Sequence, residues 1–179
     1  MFVENGYWHF TKALDKAFCD KINKLASSIK PDKATIFAET PKGKQKVLPK
    51  KRDSDVKFIS DQWIYDAVIP FVRRANENAK WGFDFDWCET AQYTIYGKNQ
   101  HYGWHIDMAN SPYVSNDINY NGKVRKLSCS LLLNNSSEYE GGEFEISSPN
   151  PKPEKHRVKP VTKGVRKSLV IWTLGPTFK

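Results

Sequence analysis

The strongest constraint in this chain is a change of hydrophobic period part-way along it. In the first half, apolar residues recur three and four apart. Leu14, Phe18, Ile22, Leu25 and Ile29 mark one amphipathic helix, with Thr11 as its expected N-cap. A second is expected from Ser60, as N-cap, with Asp61 in its first turn. Its apolar stripe is Trp63, Ile64, Ala67, Val68, Phe71, Val72 and Ala75, and Pro70 inside it should kink it. Between the two, residues 31–52 read as a polar, basic, weakly structured connection. The aromatic residues 81–87, with Gly82 among them, read as a turn into the next strand. From there the period drops to two or to short apolar runs, at 89–96, 102–108, 126–133, 142–146 and 168–174. Two helices followed by consecutive strands predict an α+β fold, helices packed on a sandwich or barrel.

A chain of 179 residues suits a single domain, 1–179, and 39% apolar residues suffice for a core. It lacks any apolar run long enough to span a bilayer and any basic-then-apolar leader at its start, so a cytoplasmic location is expected. The three cysteines, Cys19, Cys88 and Cys129, are odd in number and share no CxxC spacing. That argues against a disulfide framework or a thiolate zinc site, and for packing roles in a reducing compartment. The net charge of +8 is unevenly spread. Lys42, Lys44, Lys46, Lys50, Lys51 and Arg52 form one basic cluster, read as a solvated loop. Lys152, Lys155, Arg157, Lys159, Lys163, Arg166 and Lys167 form a second, through which the chemistry described next runs.

His105-Ile106-Asp107 is the pattern with chemical content. On an extended strand residues i and i+2 share a face, so His105 and Asp107 can hold one metal while Ile106 packs the other way. His156 is the natural third ligand. Two histidines and one carboxylate make a facial triad that leaves coordination positions open, a set suited to Fe(II) and O2 chemistry. His9 and His101 have no partner pattern and read as structural or exposed, Trp172 as packing, and Gly141-Gly142 as a turn.

The surrounding order is more specific than the triplet. It runs Tyr93-Thr94-Ile95-Tyr96-Gly97, Tyr102-Gly103-Trp104-His105-Ile106-Asp107, Arg125 to Leu131, Tyr139-Glu140-Gly141-Gly142-Glu143-Phe144, and His156 to Trp172. From about Tyr93 to Phe178 this resembles the 2-oxoglutarate- and Fe(II)-dependent dioxygenases of the prolyl 4-hydroxylase type, bacterial and phage versions above all. The resemblance implies a double-stranded β-helix (jelly-roll) core over 89–179 with supporting helices and first strands over 1–88. It implies His105, Asp107 and His156 as catalytic iron ligands, and Arg166, Tyr96 and Ser168 as the co-substrate contacts. Tyr102 and Trp104 become the substrate rim. A guanidinium suits the distal carboxylate of 2-oxoglutarate, because it offers a bidentate fork and stays charged at working pH. Fe(II), 2-oxoglutarate and ascorbate are the implied cofactors. The implied reaction hydroxylates prolyl residues of a peptide or protein, Pro-rich chains included, and releases succinate and CO2.

The sequence departs from that family in two places. Relatives place a Gly-led apolar strand ahead of the distal histidine; here the stretch 147–155 holds Pro149, Pro151 and Pro153, which cannot donate ladder hydrogen bonds. A jelly roll one core strand short before His156 is therefore expected. Leu132 stands where some relatives carry a tyrosine that touches the co-substrate. Two other functions compete: a degenerate dioxygenase fold acting as a binding module, and a nucleic-acid-directed oxygenase. The second is weakened because such enzymes carry a further Arg six residues after the first, and position 172 is Trp.

Overall fold

The structure, a computed structural model, describes residues 6–37, 45–108, 111–147 and 155–178. Lys42, Lys44, Lys152 and the prolines at 149, 151 and 153 lie outside that set. The first helix, α1 (Lys16–Ser27), starts later than expected: its N-cap is Asp15, whose side chain accepts a hydrogen bond from the Phe18 N–H, and not Thr11. The second, α2 (Gln62–Asn78), begins one residue on, with Asp61 and not Ser60 at the N-cap position and without a side-chain cap bond, and runs through Pro70 without ending. None of the described helices is long and apolar enough to cross a membrane.

The connection at 31–52 is more ordered than its polarity suggested. It holds four short strands: β1 (Asp32–Lys33), β2 (Ile36–Phe37), β3 (Gln45–Lys46) and β4 (Arg52–Asp53). The sequence signal was weak because two-residue strands carry no measurable period. Next come β5 (Asp55–Ile59), β6 (Trp87–Cys88), β7 (Ala91–Tyr96) and β8 (His101–His105). After the loop at 111–122 follow β9 (Lys123–Leu132), a single 3-10 turn, β10 (Tyr139–Gly141), β11 (Phe144–Ile146), β12 (His156–Val158), β13 (Val161–Gly164) and β14 (Arg166–Pro176).

The large sheet runs β1-β5-β7-β14, with β9 on the other side of β14 and β6 alongside its far end. A smaller sheet runs β11-β12-β8-β4. One face of the large sheet is dry. Ala91 and Tyr93 of β7 and Leu169 and Ile171 of β14 pack with Ile22 and Ala26 of α1 and Ile64, Val68 and Val72 of α2. Each such side chain contributes about 1.5–3 kcal/mol when fully withdrawn from water, so this layer accounts for much of the fold. Alternation along the same strands turns Gln92, Thr94, Tyr96, Arg166 and Ser168 to the opposite face, all of them buried.

β11 and β12 form an antiparallel pair. Among the described residues no strand stands between them. Ile146 lies opposite His156, and the Ser147 N–H bonds the Lys155 carbonyl at the end of the pair. At the β10 end, Gly141 and Gly142 both have positive φ, as the turn reading expected. A Cβ on Gly142 would sit 3.0 Å from the Cδ of Arg166, so only glycine leaves that side chain its room.

Candidate active site

β8 and β12 lie side by side, and their register sets His156 opposite His105. The two imidazole centroids are 4.1 Å apart. Asp107 lies in the bend past the end of β8, not on the strand itself, so the shared-face argument for residues i and i+2 does not fix its position. The Arg125 guanidinium does: its Nη1 donates to the Asp107 carbonyl at 3.1 Å. Arg125 is anchored in turn by Glu89, which accepts from its Nε and Nη2 at 2.6 Å each, and the Tyr113 hydroxyl donates to the same carboxylate.

The result is a cluster in which one ligand atom each of His105, Asp107 and His156 lies within 4.8 Å of the others. His105 Nε2 is 3.4 Å from one Asp107 oxygen and His156 Nε2 is 3.5 Å from the other. Donor atoms about 2.1 Å from an octahedral ion stand about 3 Å apart at right angles, so this spacing suits a small divalent metal with little movement. His105 Nδ1 lies 2.8 Å from the Gly103 carbonyl, which selects the tautomer that presents Nε2 to the cluster. Burial pushes the Asp107 carboxyl upward. The hydrogen bond from His105, the charges of both imidazoles and the Trp172 indole outweigh that and hold it well below its ordinary value. For His156 burial is the largest influence and lowers its basicity, which favours the neutral, ligating form.

On the opposite wall, Arg166 is 2% exposed and Ser168 likewise. Arg166 Nη1 donates to the Ser168 hydroxyl at 3.1 Å, and its guanidinium carbon lies 5.6 Å from the ring centre of Tyr96, its cross-strand neighbour. Burial raises the Tyr96 phenol, against the opposing charges of Arg52 and Arg166. Tyr102 stacks on His105 with centroids 3.4 Å apart and is pushed up to about 12 by burial, so it stays a protonated donor. Trp104 is 40% exposed at the outer edge with the Arg157 guanidinium over its ring. Leu132 faces Ser168 in register and is half-exposed. His101 stands apart from the cluster, with its ring nitrogens near the Asn99 and Lys50 carbonyls.

Five side chains around this site were not singled out for it by the sequence reading. Arg52, placed in a solvated basic loop, is instead buried, because β4 pairs with β8 and turns its side chain inward. Ser54 follows it inward two residues later. Arg125 and Glu89 meet only through sheet pairing, which no local spacing announces. Trp172, read as packing, lies under the Arg125 guanidinium at 3.9 Å. Its buried indole N–H finds no acceptor at full hydrogen-bonding geometry, yet it helps stabilise ionised Asp107. Three of the six described members of the second basic cluster are paired: Arg157 with Glu145, Lys159 with Glu143 and Glu145, and Lys163 with Glu140.

With this geometry in view, the similarity to known proteins has a physical basis. Residues 91–174, from β7 to the far end of β14, match the model of the 2OG-Fe(II) oxygenase superfamily. Over these residues, just under half of its length, the chain is similar to the 2OG-Fe(II) oxygenases. A PKHD-type hydroxylase of Xylella fastidiosa (strain M12) is 35% identical over 97 residues, which covers 45% of this chain and 42% of the relative. A PKHD-type hydroxylase of Idiomarina loihiensis is 26% identical over 152 residues, 75% of this chain and 60% of the relative. The chain thus spans less than half the length of the Xylella relative. Among solved structures, the viral collagen prolyl hydroxylase of Paramecium bursaria Chlorella virus-1 superposes with a TM-score of 0.65 at 16% identity, over 96% of this chain and 97% of the other. A Pseudomonas putida prolyl-4-hydroxylase gives 0.62 at 14%, over 95% and 92%. The chain therefore has the double-stranded β-helix fold of those proteins, with α1 and α2 packed on its large sheet. That family implies Fe(II) and 2-oxoglutarate, and the His-Asp-His cluster suits the metal.

Proposed function

We propose that the chain is a 2-oxoglutarate- and O2-dependent Fe(II) hydroxylase acting on prolyl residues of a peptide or protein, with residues 1–179 working as one unit. The observation that carries this reading is a pairing of opposites across one interior. A compact His-Asp-His cluster lies on the small-sheet side, and a buried arginine without an acidic partner among the described residues lies on the large-sheet side. A ligand that is a metal chelator at one end and an anion at the other satisfies both.

His105, Asp107 and His156 hold the metal. Asp107 does so as a carboxylate already stripped of its proton at neutral pH, and His156 as a neutral imidazole. Arg166 takes the distal carboxylate of 2-oxoglutarate through its free N–H groups while Ser168 fixes the guanidinium plane, and Tyr96 adds a hydroxyl. When bound, Fe(II) and 2-oxoglutarate supply the oxidising chemistry, in which O2 is consumed, succinate and CO2 are released and one oxygen atom enters a substrate C–H bond. Tyr102 walls the metal side of the interior by its stack on His105. Exposed Trp104, Ile106 and Phe144 give the outer edge an apolar surface on which an extended chain can lie. A peptide substrate is supported by the relatives: one solved neighbour is a collagen prolyl hydroxylase, and another, from Trichoplax adhaerens, is a prolyl hydroxylase bound to a peptide fragment. Trp172, where nucleic-acid-directed oxygenases of this kind carry a further Arg, weighs against a nucleic-acid substrate.

The test is succinate release by the Fe(II)-loaded chain, with ascorbate present, coupled to a mass gain of one oxygen on a Pro-containing peptide. The same peptide with alanine for proline should gain none. A folded chain that takes up no Mn(II) or Fe(II) and releases no succinate would be a binding module instead.

A further inference from the structure

Three arginines turn inward around the site, and they are not alike. Arg125 has Glu89, with two hydrogen bonds of 2.6 Å to one carboxylate. Arg166 and Arg52 are both more than nine-tenths buried, and neither has an acidic partner among the described residues. Arg166 is accounted for by the co-substrate reading; Arg52 is not.

Arg52 Nε donates to the Ser54 hydroxyl at 3.2 Å and Nη1 to the Thr35 carbonyl at 3.2 Å. Its guanidinium carbon stands 4.6 Å from the ring centre of Tyr102. A guanidinium carries five N–H donors, so Arg52 has donors to spare. Burial raises the Tyr96 phenol most, while the charges of Arg52 and Arg166 and the Ser54 side chain all act to lower it, so these groups lie close together. A row of polar neighbours thus leads from Arg52 through Ser54 to Tyr96, whose ring centre lies 5.6 Å from the Arg166 guanidinium carbon. A buried cation without a counter-ion is costly to maintain, and the cost is relieved when a ligand brings the anion.

Leu132, opposite Ser168 in register, offers no hydroxyl on this side of the site. Resting on the reading above, we infer that Arg52 is a second guanidinium for the distal carboxylate of 2-oxoglutarate. The dicarboxylate is clamped between Arg166 of the large sheet and Arg52 of the small one, with Tyr96 close to both. A carboxylate has about four acceptor positions, enough for two guanidinium groups and a phenol.

Calorimetric binding to the Mn(II)-loaded full chain tests this without turnover, using two keto acids of equal length. 2-Oxoglutarate has the distal carboxylate and 2-oxopentanoate lacks it. Arg52→Met should weaken 2-oxoglutarate by about tenfold or more, the size of a charge-assisted hydrogen bond, and leave 2-oxopentanoate unmoved. Arg52→Lys keeps the charge and hence the best chance of folding; it should weaken 2-oxoglutarate several-fold with the same selectivity. Equal weakening of both acids would mean a structural role only, and an unchanged 2-oxoglutarate affinity would mean no contact; either overturns the clamp. Arg166→Met separates the two levels. If it abolishes selectivity for the dicarboxylate while Arg52→Met and Arg52→Lys do nothing, only the clamp falls. If neither arginine matters, the co-substrate reading falls with it.

Discussion

The two faces of β14 are made from one stretch of chain and have opposite characters. Leu169 and Ile171 point to the helices and are sealed among aliphatic side chains. Arg166 and Ser168, one residue out of phase, point between the sheets and are buried just as deeply, with a single hydrogen bond to each other. The first face stabilises the fold and is satisfied as it stands. The second is polar, charged and short of partners, an arrangement a protein keeps only when something else fills it. Variants on the two faces should therefore separate stability from ligand binding, and each prediction below tests that separation.

The largest effect belongs to the cluster. His156→Ala should abolish 2-oxoglutarate turnover and weaken Mn(II) binding by about a hundredfold or more, since two ligands hold a divalent ion poorly. The thermal melting point of the metal-free chain should stay close to that of the parent. Unchanged turnover would remove His156 from the metal site. On the other face, Leu169→Ala should cost about 2–5 kcal/mol in urea unfolding. Below its melting range it should bind Mn(II) as the parent does. A loss of metal affinity in the folded variant would show that the faces are coupled.

Between these extremes lies the support of Asp107. Glu89→Gln removes the counter-ion of Arg125 and so loosens the grip on the Asp107 carbonyl. Metal affinity should fall about tenfold, the lower end for residues that orient a ligand from behind. Leaving the largely buried Arg125 without its counter-ion should lower the melting temperature as well; a lower melting temperature with no metal effect in the folded variant would reverse the assignment.

Much of this arrangement was legible in the sequence, and the gaps have physical causes. Helices and long strands announced themselves by period, since ten or more residues average out local exceptions. His105-Ile106-Asp107 could be read because its spacing is local. The juxtaposition of His156 could not be settled, because Pro149, Pro151 and Pro153 before it carry no strand pattern that would fix its register. The structure brings it alongside His105 by pairing β11 straight to β12, a consequence of three-residue strands that no pattern reveals. Arg52 was misread for the same reason: in a run of lysines, the one cation that β4 turns inward has no sequence mark. Asp107 was expected on a strand face and is held instead by a residue 18 positions away.

The smallest predicted effect concerns protons. His156 is less basic in the fold than its ordinary value of 6.5, chiefly through burial. The unfolded chain therefore binds more protons at this site below about pH 6.5, and stability is lost as pH falls through that window. Asp107 acts in the same direction but only below its ordinary 3.8, so a titration from pH 7.5 to 5.5 reads the histidine and not the carboxylate. The melting temperature of the metal-free chain should decline modestly across that range. The increment added by Mn(II) should shrink as well, because protons and metal compete for one imidazole nitrogen. In His156→Ala both slopes should flatten, while Leu169→Ala should keep them at a lower melting temperature. Slopes that survive the loss of His156 would place the titrating group elsewhere and remove the electrostatic half of the contrast between the faces.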